Sequence, residues 1–344
     1  MKGAEILLGE WQGREAAALM RDGRLEDLLI DGDAPRPGSI YRARTDRPVK
    51  GQGGMFLATP DGSAFLRQVK GLAPGVPLLV QVTGYAEPGK AIPVTQRVLF
   101  KSRYAIVTPE APGLNVSRAI RDEEIRDDLL ATAHETWAEA GAPEGAGLIL
   151  RSACAEASAE EVIEDILAMA ALATQVLADV EGAPELLVEG DGPHALAWRD
   201  WSEPAQVTEG ADALERDDVA GAIEALSEPE VPLPGGGTMV VEPTKAFVAV
   251  DVNTGGDTSP AAGLKANTAA ARELPRQLRL RGLGGVVILD PAPMPKKDRR
   301  GFEGSLRAAF RADDVETNLS GWTPLGNYEL QRKRARLPLA GGTA

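Results

Sequence analysis

The 344-residue sequence holds one cysteine, Cys154, and two histidines, His134 and His194. A lone cysteine excludes any intrachain disulfide, and so few imidazole and thiol groups exclude a zinc site of the usual His/Cys kind. Any metal must then be bound through oxygen. No run of 18 apolar residues occurs, and the opening MKGAEILLGE lacks the long apolar stretch of a signal peptide, so membrane insertion and export are not expected and a cytoplasmic location is. A P-loop of the form GxxxxGK[ST], internal repeats and low-complexity tracts are also missing. What is present is a chain with 43% hydrophobic residues, enough for two or three packed domains.

The formal net charge of −14 argues against a polyanionic partner, but its distribution argues the other way. Residues 38–104 carry 10 Lys+Arg against 3 Asp+Glu, a local balance of +7. Residues 121–230 carry 5 against 28, or −23, and residues 264–336 carry 15 against 8, again +7. Two basic lobes flanking an acidic middle are what an electrostatic track for a polyanion looks like, and solvated faces of unequal sign look the same.

Hydrophobic patterning divides the chain. The first thirty residues read as an antiparallel meander: EILLGEW, EAAALM, a turn at Asp22-Gly23, then LEDLLI. After the linker APRPG at 34–38, short alternating segments from Ser39 to about Phe100, punctuated by Gly and Pro, have the pattern of a small β-barrel of OB type. Ile125, Leu129, Ala133 and Trp137 recur at spacing four and predict a helix over 121–139. A strand GLILRS follows. Ser158 and Glu161 stand in capping-box spacing at the head of a second helix that carries Val162, Ile166, Met169, Ala173 and Val176. The segment 181–235 mixes short strands, one acidic helix and Pro/Gly joints, and its terminal PLPGGG reads as a domain joint. The last hundred residues predict strands TMVVE, AFVAVDV and GVVILD, helices near 264–281 and 298–311, and a basic terminal helix near 328–336. That is a layered α/β arrangement.

Two apolar strands each end in an aspartate, FVAVD at Asp251 and GVVILD at Asp290, 39 positions apart with one helix between them. A β-crossover-β unit of that size delivers both carboxylates to one sheet edge, where α/β proteins place ligands. Paired carboxylates suit Mg²⁺, which takes one or two of them and completes its shell with water and substrate phosphate. Asn253, two residues after Asp251, falls on the same face and is placed to orient either a phosphate or a metal-bound water. An aspartate after a buried strand is also an ordinary turn or cap residue, so the pair is a candidate rather than an assignment.

At this point the sequence resembles the ribonuclease E/G family. AVDVNTGGDTS, KANTAAARELPRQLRLRGLGGVVILDPAPM and NYELQRKR are similar in order and spacing to that family's catalytic subdomain, RQLRLRGLGG being the most specific piece. The resemblance implies an α+β and α/β multidomain chain in which an OB-type barrel is inserted in an RNase H-like subdomain and followed by a DNase I-like catalytic subdomain. The implied boundaries are 1–37 and 181–234 for the two parts of the RNase H-like subdomain, 38–100 for the barrel, 101–180 for a five-prime sensor-like subdomain and 235–344 for the catalytic part. It implies a Mg²⁺-dependent endoribonuclease acting on single-stranded RNA, with Asp251 and Asp290 as metal ligands and Asn253 at the scissile phosphate.

Phe56, Phe65 and Lys90 fall on the family's single-strand contacts, although without the resemblance any two phenylalanines of a small barrel read first as its core. Arg151-Ser152, with help from Arg118, matches its five-prime monophosphate pocket, and Arg151 reads equally well as a plain surface arginine. The sequence departs from the family at Pro293, where a second acid is usual after Asp290, and at Lys245, again in place of an acid. The paired-cysteine zinc link is missing, so the dimer or tetramer built on it is not inferred, though a homo-oligomer of another kind stays open. Two other readings compete: a weakened family member that binds RNA without cutting it, and an ATP-utilising enzyme suggested by the actin-like Asp-x-Asn-Thr-Gly-Gly-Asp-Thr turn.

Overall fold

A computed structural model describes residues 3–49, 53–69 and 71–339. The chain forms two compact units, Met1–Gly32 with Ala205–Ala344, and Asp33–Pro204.

In the unit Asp33–Pro204, strands Ile40–Val49, Gly54–Thr59, Gly62–Leu66, Ile92–Thr95 and Pro77–Val82 pair in that spatial order, and Pro77–Val82 closes back on Ile40–Val49. The result is the expected closed five-stranded barrel. Alternate residues, among them Tyr41, Met55, Leu57, Leu66, Val80 and Val94, fill its interior, and Ala43 and Ala64 keep the filling narrow. Beside it, the small sheet Gly113–Val116, Gly147–Leu150, Ala105–Thr108 and Phe100–Lys101 packs under helices Glu123–Glu139 and Ala159–Ala178. Both helix starts are written in the sequence: Asp122 accepts from the amides of Glu124 and Ile125, and Ser158 and Glu161 form a complete capping box.

The acidic stretch after residue 180 belongs to both units. Strand Glu185–Val188 adds to the barrel beside Ile40–Val49, and Pro193–Asp200 is a helix that the sequence pattern did not suggest. Gln206–Glu209 instead pairs in parallel with Ala4–Trp11, the first strand of the N-terminal meander, which is otherwise as predicted.

The unit Met1–Gly32 with Ala205–Ala344 also carries a six-stranded sheet in the order Glu230–Pro232, Thr238–Pro243, Val248–Asn253, Gly285–Asp290, Tyr328–Arg332, Thr317–Trp322. Helices Ala262–Leu280 and Arg299–Ala312 cover one face, burying Val250, Val252, Val287 and Leu289 with Leu274, Leu278, Phe302 and Leu306. Two expectations are corrected here. The glycine run of PLPGGG is no domain joint but the turn of a hairpin between Glu230–Pro232 and Thr238–Pro243. The basic terminal segment is not a helix: Tyr328–Arg332 is a strand, antiparallel to Gly285–Asp290, with Tyr328, Leu330 and Arg332 buried and Glu329 and Gln331 exposed. Period-two burial against a neighbouring strand overrides the helical preference of Glu, Leu, Gln, Arg and Lys.

The motif RQLRLRGLGG turns out to be architectural. Arg276 donates to the Leu25 carbonyl and pairs with Glu273, and Arg281 bonds the Gln277 side chain and the Leu226 carbonyl. Arg279 meets Asp27 and Asp313, and Asp313 also takes Arg332 at 2.7 Å. These arginines bolt the long helix to the N-terminal meander and to the terminal strand, so part of the basic excess in 264–336 is neutralised internally. The glycine pair has its own reason: a Cβ on Gly284 would lie 2.7 Å from the Lys333 carbonyl, and Gly285 adopts φ +92°. Asp313→Ala takes a carboxylate from two largely buried guanidinium groups, leaving Arg332 the Thr317 hydroxyl and Arg279 its contacts to Glu26 and Asp27, and a loss of about 3 kcal/mol is expected, read as a lower denaturant midpoint at unchanged m.

Candidate functional site

Val248–Asn253 and Gly285–Asp290 are adjacent parallel strands with Asp251 directly opposite Asp290. Their Cα atoms are therefore separated by one strand spacing, about 4.8 Å. Val250, Val252 and Leu289 point into the helix-covered core, so the intervening Asp251, Asn253 and Asp290 share the open, exposed face. The Asn253 amide donates to the Asp251 carboxylate at 2.8 Å, which fixes that carboxylate beside its neighbour. Among the described residues no cluster of three or more His, Cys, Asp or Glu is suited to a metal, so this is a pair plus an amide. Its donors are all hard oxygens in a wet position, which is the ligand set a partly hydrated Mg²⁺ accepts. Cys154 is no rival centre: burial pushes its thiol up to about 11 and makes it a poor nucleophile.

The surroundings hold the pair by backbone contact. A Cβ on Gly237 would lie 2.6 Å from the Asn253 carbonyl, so the PLPGGG turn can approach the end of the Asp251 strand only as glycine. On the other strand, Asn267 is fully buried in the long helix and clamps Ala292, two residues past Asp290, donating to its carbonyl and accepting from its amide, both at 2.8 Å. Sequence reasoning missed Asn267. Its one signal is a polar residue on the otherwise apolar stripe of Ala266, Ala270 and Leu274. Pro293 follows the clamped residue and is exposed, whereas Lys245 sits in the tight turn closed by Thr244 and Phe247, at the opposite end of the strand from Asp251. The three strand steps from Val248 to Asp251 already put that turn roughly 10 Å from the aspartate, so Lys245 does not belong to this site.

On the barrel, Phe56 and Phe65 are opposite each other on neighbouring strands, and their neighbours Met55, Leu57, Ala64 and Leu66 are the ones that face inward. The two phenylalanines are thus not barrel core. Their rings lie 5.2 Å apart on the outer wall, half-buried, with the Arg47 guanidinium 5.1 Å from the Phe56 centroid. Pro93 continues the stripe beside Phe65, and Lys90 is exposed in the turn that leads to it.

Arg118, Arg151 and Ser152 follow the ends of two neighbouring strands. Parallel strands Gly113–Val116 and Gly147–Leu150 end in register, Val116 beside Leu150, which delivers Arg118 and Arg151-Ser152 together. Arg118 and Ser152 are exposed. Arg151 is not a plain surface arginine: it donates to the carbonyls of Ser102, Arg103 and Arg199 and pairs with Asp200 at 2.6 Å, leaving its side chain 18% exposed. Its guanidinium is therefore spent on holding the 102–103 turn against the helix end at 199–200. Burial works to raise the Asp200 carboxyl, but Arg199 and Lys101 outweigh it and hold that group below the usual carboxylate range.

Two in-register carboxylates at one strand end and a closed barrel with paired aromatics on its outer wall are thus the features that the fold presents. A family model described as "Ribonuclease E/G family" matches residues 100–209 and 200–335. A ribonuclease E from Nostoc sp. is 27% identical over 389 residues, covering 96% of this chain and 56% of that protein. Ribonuclease G of Salmonella typhimurium and of Escherichia coli are each 27% identical over 402 residues, 97% of this chain and 80% of theirs. The chain belongs to the ribonuclease E/G family, and it spans little more than half the length of the ribonuclease E relative.

Asn267→Ala removes both partners of a buried backbone segment, and a cost of about 1–3 kcal/mol for each group left unpaired is expected in equilibrium unfolding.

Proposed function

We propose that this chain is an endoribonuclease that hydrolyses single-stranded RNA with Mg²⁺ held by Asp251 and Asp290. The observation that carries the reading is the register of those two aspartates on adjacent parallel strands, facing solvent, with Asn253 on the same face. When bound, the ion supplies charge stabilisation for an in-line displacement at phosphorus and lowers the pKa of a water molecule in its shell. The chain's own residues do the rest. Asp251 and Asp290 concentrate negative charge at one point, which disfavours a bare phosphate and makes its approach depend on the cation. Asn253 keeps Asp251 oriented through one amide proton and has the second to offer a phosphate oxygen. The open face beyond them admits an extended strand rather than a deep substrate.

In this reading Phe56 and Phe65 stack bases on the barrel wall, and Arg47 and Lys90 attend the backbone. Arg118 and Ser152 receive a five-prime phosphate at the edge that Arg151 braces, so Arg151 acts there as a positioning residue. Residues 235–344 then form the DNase I-like catalytic subdomain, with the RNase H-like part drawn from the N-terminal meander and the segment that joins it. One observation favours a second reading, a member that holds RNA without cutting it: Pro293 stands where the family usually carries another acid.

The two are separated by incubating the protein with an A/U-rich, five-prime-monophosphorylated oligoribonucleotide and Mg²⁺. Fragments support the nuclease, whereas a shifted but intact band supports the binder. Asp251→Asn or Asp290→Asn is expected to lower the cleavage rate by at least about a thousandfold, roughly 4 kcal/mol of transition-state stabilisation, while RNA affinity measured in EDTA stays within about threefold. Wild-type cleavage by both variants sinks the metal assignment. Phe56→Ala is expected to weaken RNA binding by roughly 1–3 kcal/mol, followed by fluorescence anisotropy.

A further inference from the structure

The helix Pro193–Asp200 exposes one large side chain that no role described so far uses. Trp198 is 62% accessible, while its neighbour Ala197 is fully buried. The indole is not loose. The Arg103 guanidinium lies over it at 3.9 Å from the ring centroid, also donates to the Trp198 backbone carbonyl, and is 5.7 Å from the Tyr104 ring. Arg103 in turn stands on the turn that Arg151 grips through the Ser102 and Arg103 carbonyls, and the end of the Trp198 helix is held by the same guanidinium through the Arg199 carbonyl. Ring, cation and supporting arginine thus form one braced assembly within the unit Asp33–Pro204.

We infer that Trp198, backed by Arg103, is a stacking platform for an unpaired base of RNA at the sheet edge that bears Arg118 and Ser152. The inference rests on the reading of this chain as RNA-binding and adds a contact that the reading does not contain. One indole face is taken by the guanidinium and the other is left to solvent. A cation fixed behind an aromatic ring, with the ring's second face free, is the arrangement in which a base adds to the stack with little further ordering.

The charges around it neither supply nor forbid the contact. Lys101, Arg103, Arg151 and Arg199 face Asp191, Asp200, Asp165 and Glu161. Asp200 is shared by Lys101, Arg151 and Arg199, and Asp165 is spent on the Ser102 hydroxyl and the amides of Tyr104 and Ala105. Stacking rather than phosphate pairing therefore drives the interaction. A protein partner fits less well. A tryptophan side chain offers roughly 150–250 Å², against the roughly 800 Å² that each partner of a stable protein complex usually buries.

The test is an abasic scan. A fluorescein-labelled A/U-rich 12-nucleotide RNA and a set of copies, each lacking one base, are titrated in EDTA with wild type, Trp198→Ala and Trp198→Phe. Expected is a roughly tenfold to hundredfold weaker Kd for Trp198→Ala, near-wild-type binding for Trp198→Phe, and one abasic position whose penalty in wild type disappears in Trp198→Ala. Wild-type affinity of Trp198→Ala, or penalties that persist at every position, overturns the platform. Should Trp198→Ala not fold, Trp198→Leu takes its place: loss of the penalty at that one position supports the platform, and a scan identical to wild type overturns it. Because every arm omits Mg²⁺, loss of cleavage by the intact enzyme would sink the nuclease reading without touching this one.

Discussion

The parallel pairing of Val248–Asn253 with Gly285–Asp290 is the constraint on which the rest of the structure depends. It places two aspartates with their Cα atoms about one strand spacing apart, an arrangement of like charges that no local interaction would choose. What enforces it is apolar. Val250, Val252, Val287 and Leu289 are buried against the long helix, and because side chains alternate along a strand, burying that set obliges Asp251 and Asp290 to share the opposite face. A slip of one residue would turn either aspartate into the core. The hydrophobic layer thus fixes the electrostatics of the site.

Arginine is used in two ways in this chain, and its destination separates scaffold from surface. Arg276, Arg279, Arg281 and Arg332 are drawn inward to carbonyls and to Asp27, Glu273 and Asp313, where their planar forks tie strands and helix together. Arg151 does the same in the other unit. Arg47, Arg103 and Arg118 remain at the surface, two of them over aromatic rings. The basic lobes are therefore weaker as electrostatic tracks than a residue count suggests.

Elements with local instructions were legible. Capping at Ser158-Glu161, the spacing-four stripe ending at Trp137, the Asp22-Gly23 turn and the short alternating barrel strands all state their structure within a few residues. Elements whose instruction lies elsewhere were not. Tyr328–Arg332 is built from helix formers and becomes a strand because Gly285–Asp290 offers it an edge. The glycines of PLPGGG look like a linker until the Asn253 backbone is seen against Gly237. Asn267 looks like an ordinary helix residue until Ala292 arrives to be held.

The sequence by itself determined which residues have chemistry to offer: two strand-terminal aspartates, an asparagine two residues on, a pair of phenylalanines and an oxygen-only metal chemistry imposed by the scarcity of cysteine and histidine. Only the tertiary structure decided that Asp251 and Asp290 are in register, that Phe56 and Phe65 face outward, that Lys245 is remote and that Arg151 is a brace. Residue type and short-range periodicity are properties of neighbours along the chain, whereas register, facing and the fate of a long side chain are settled by which distant segment comes to lie beside it.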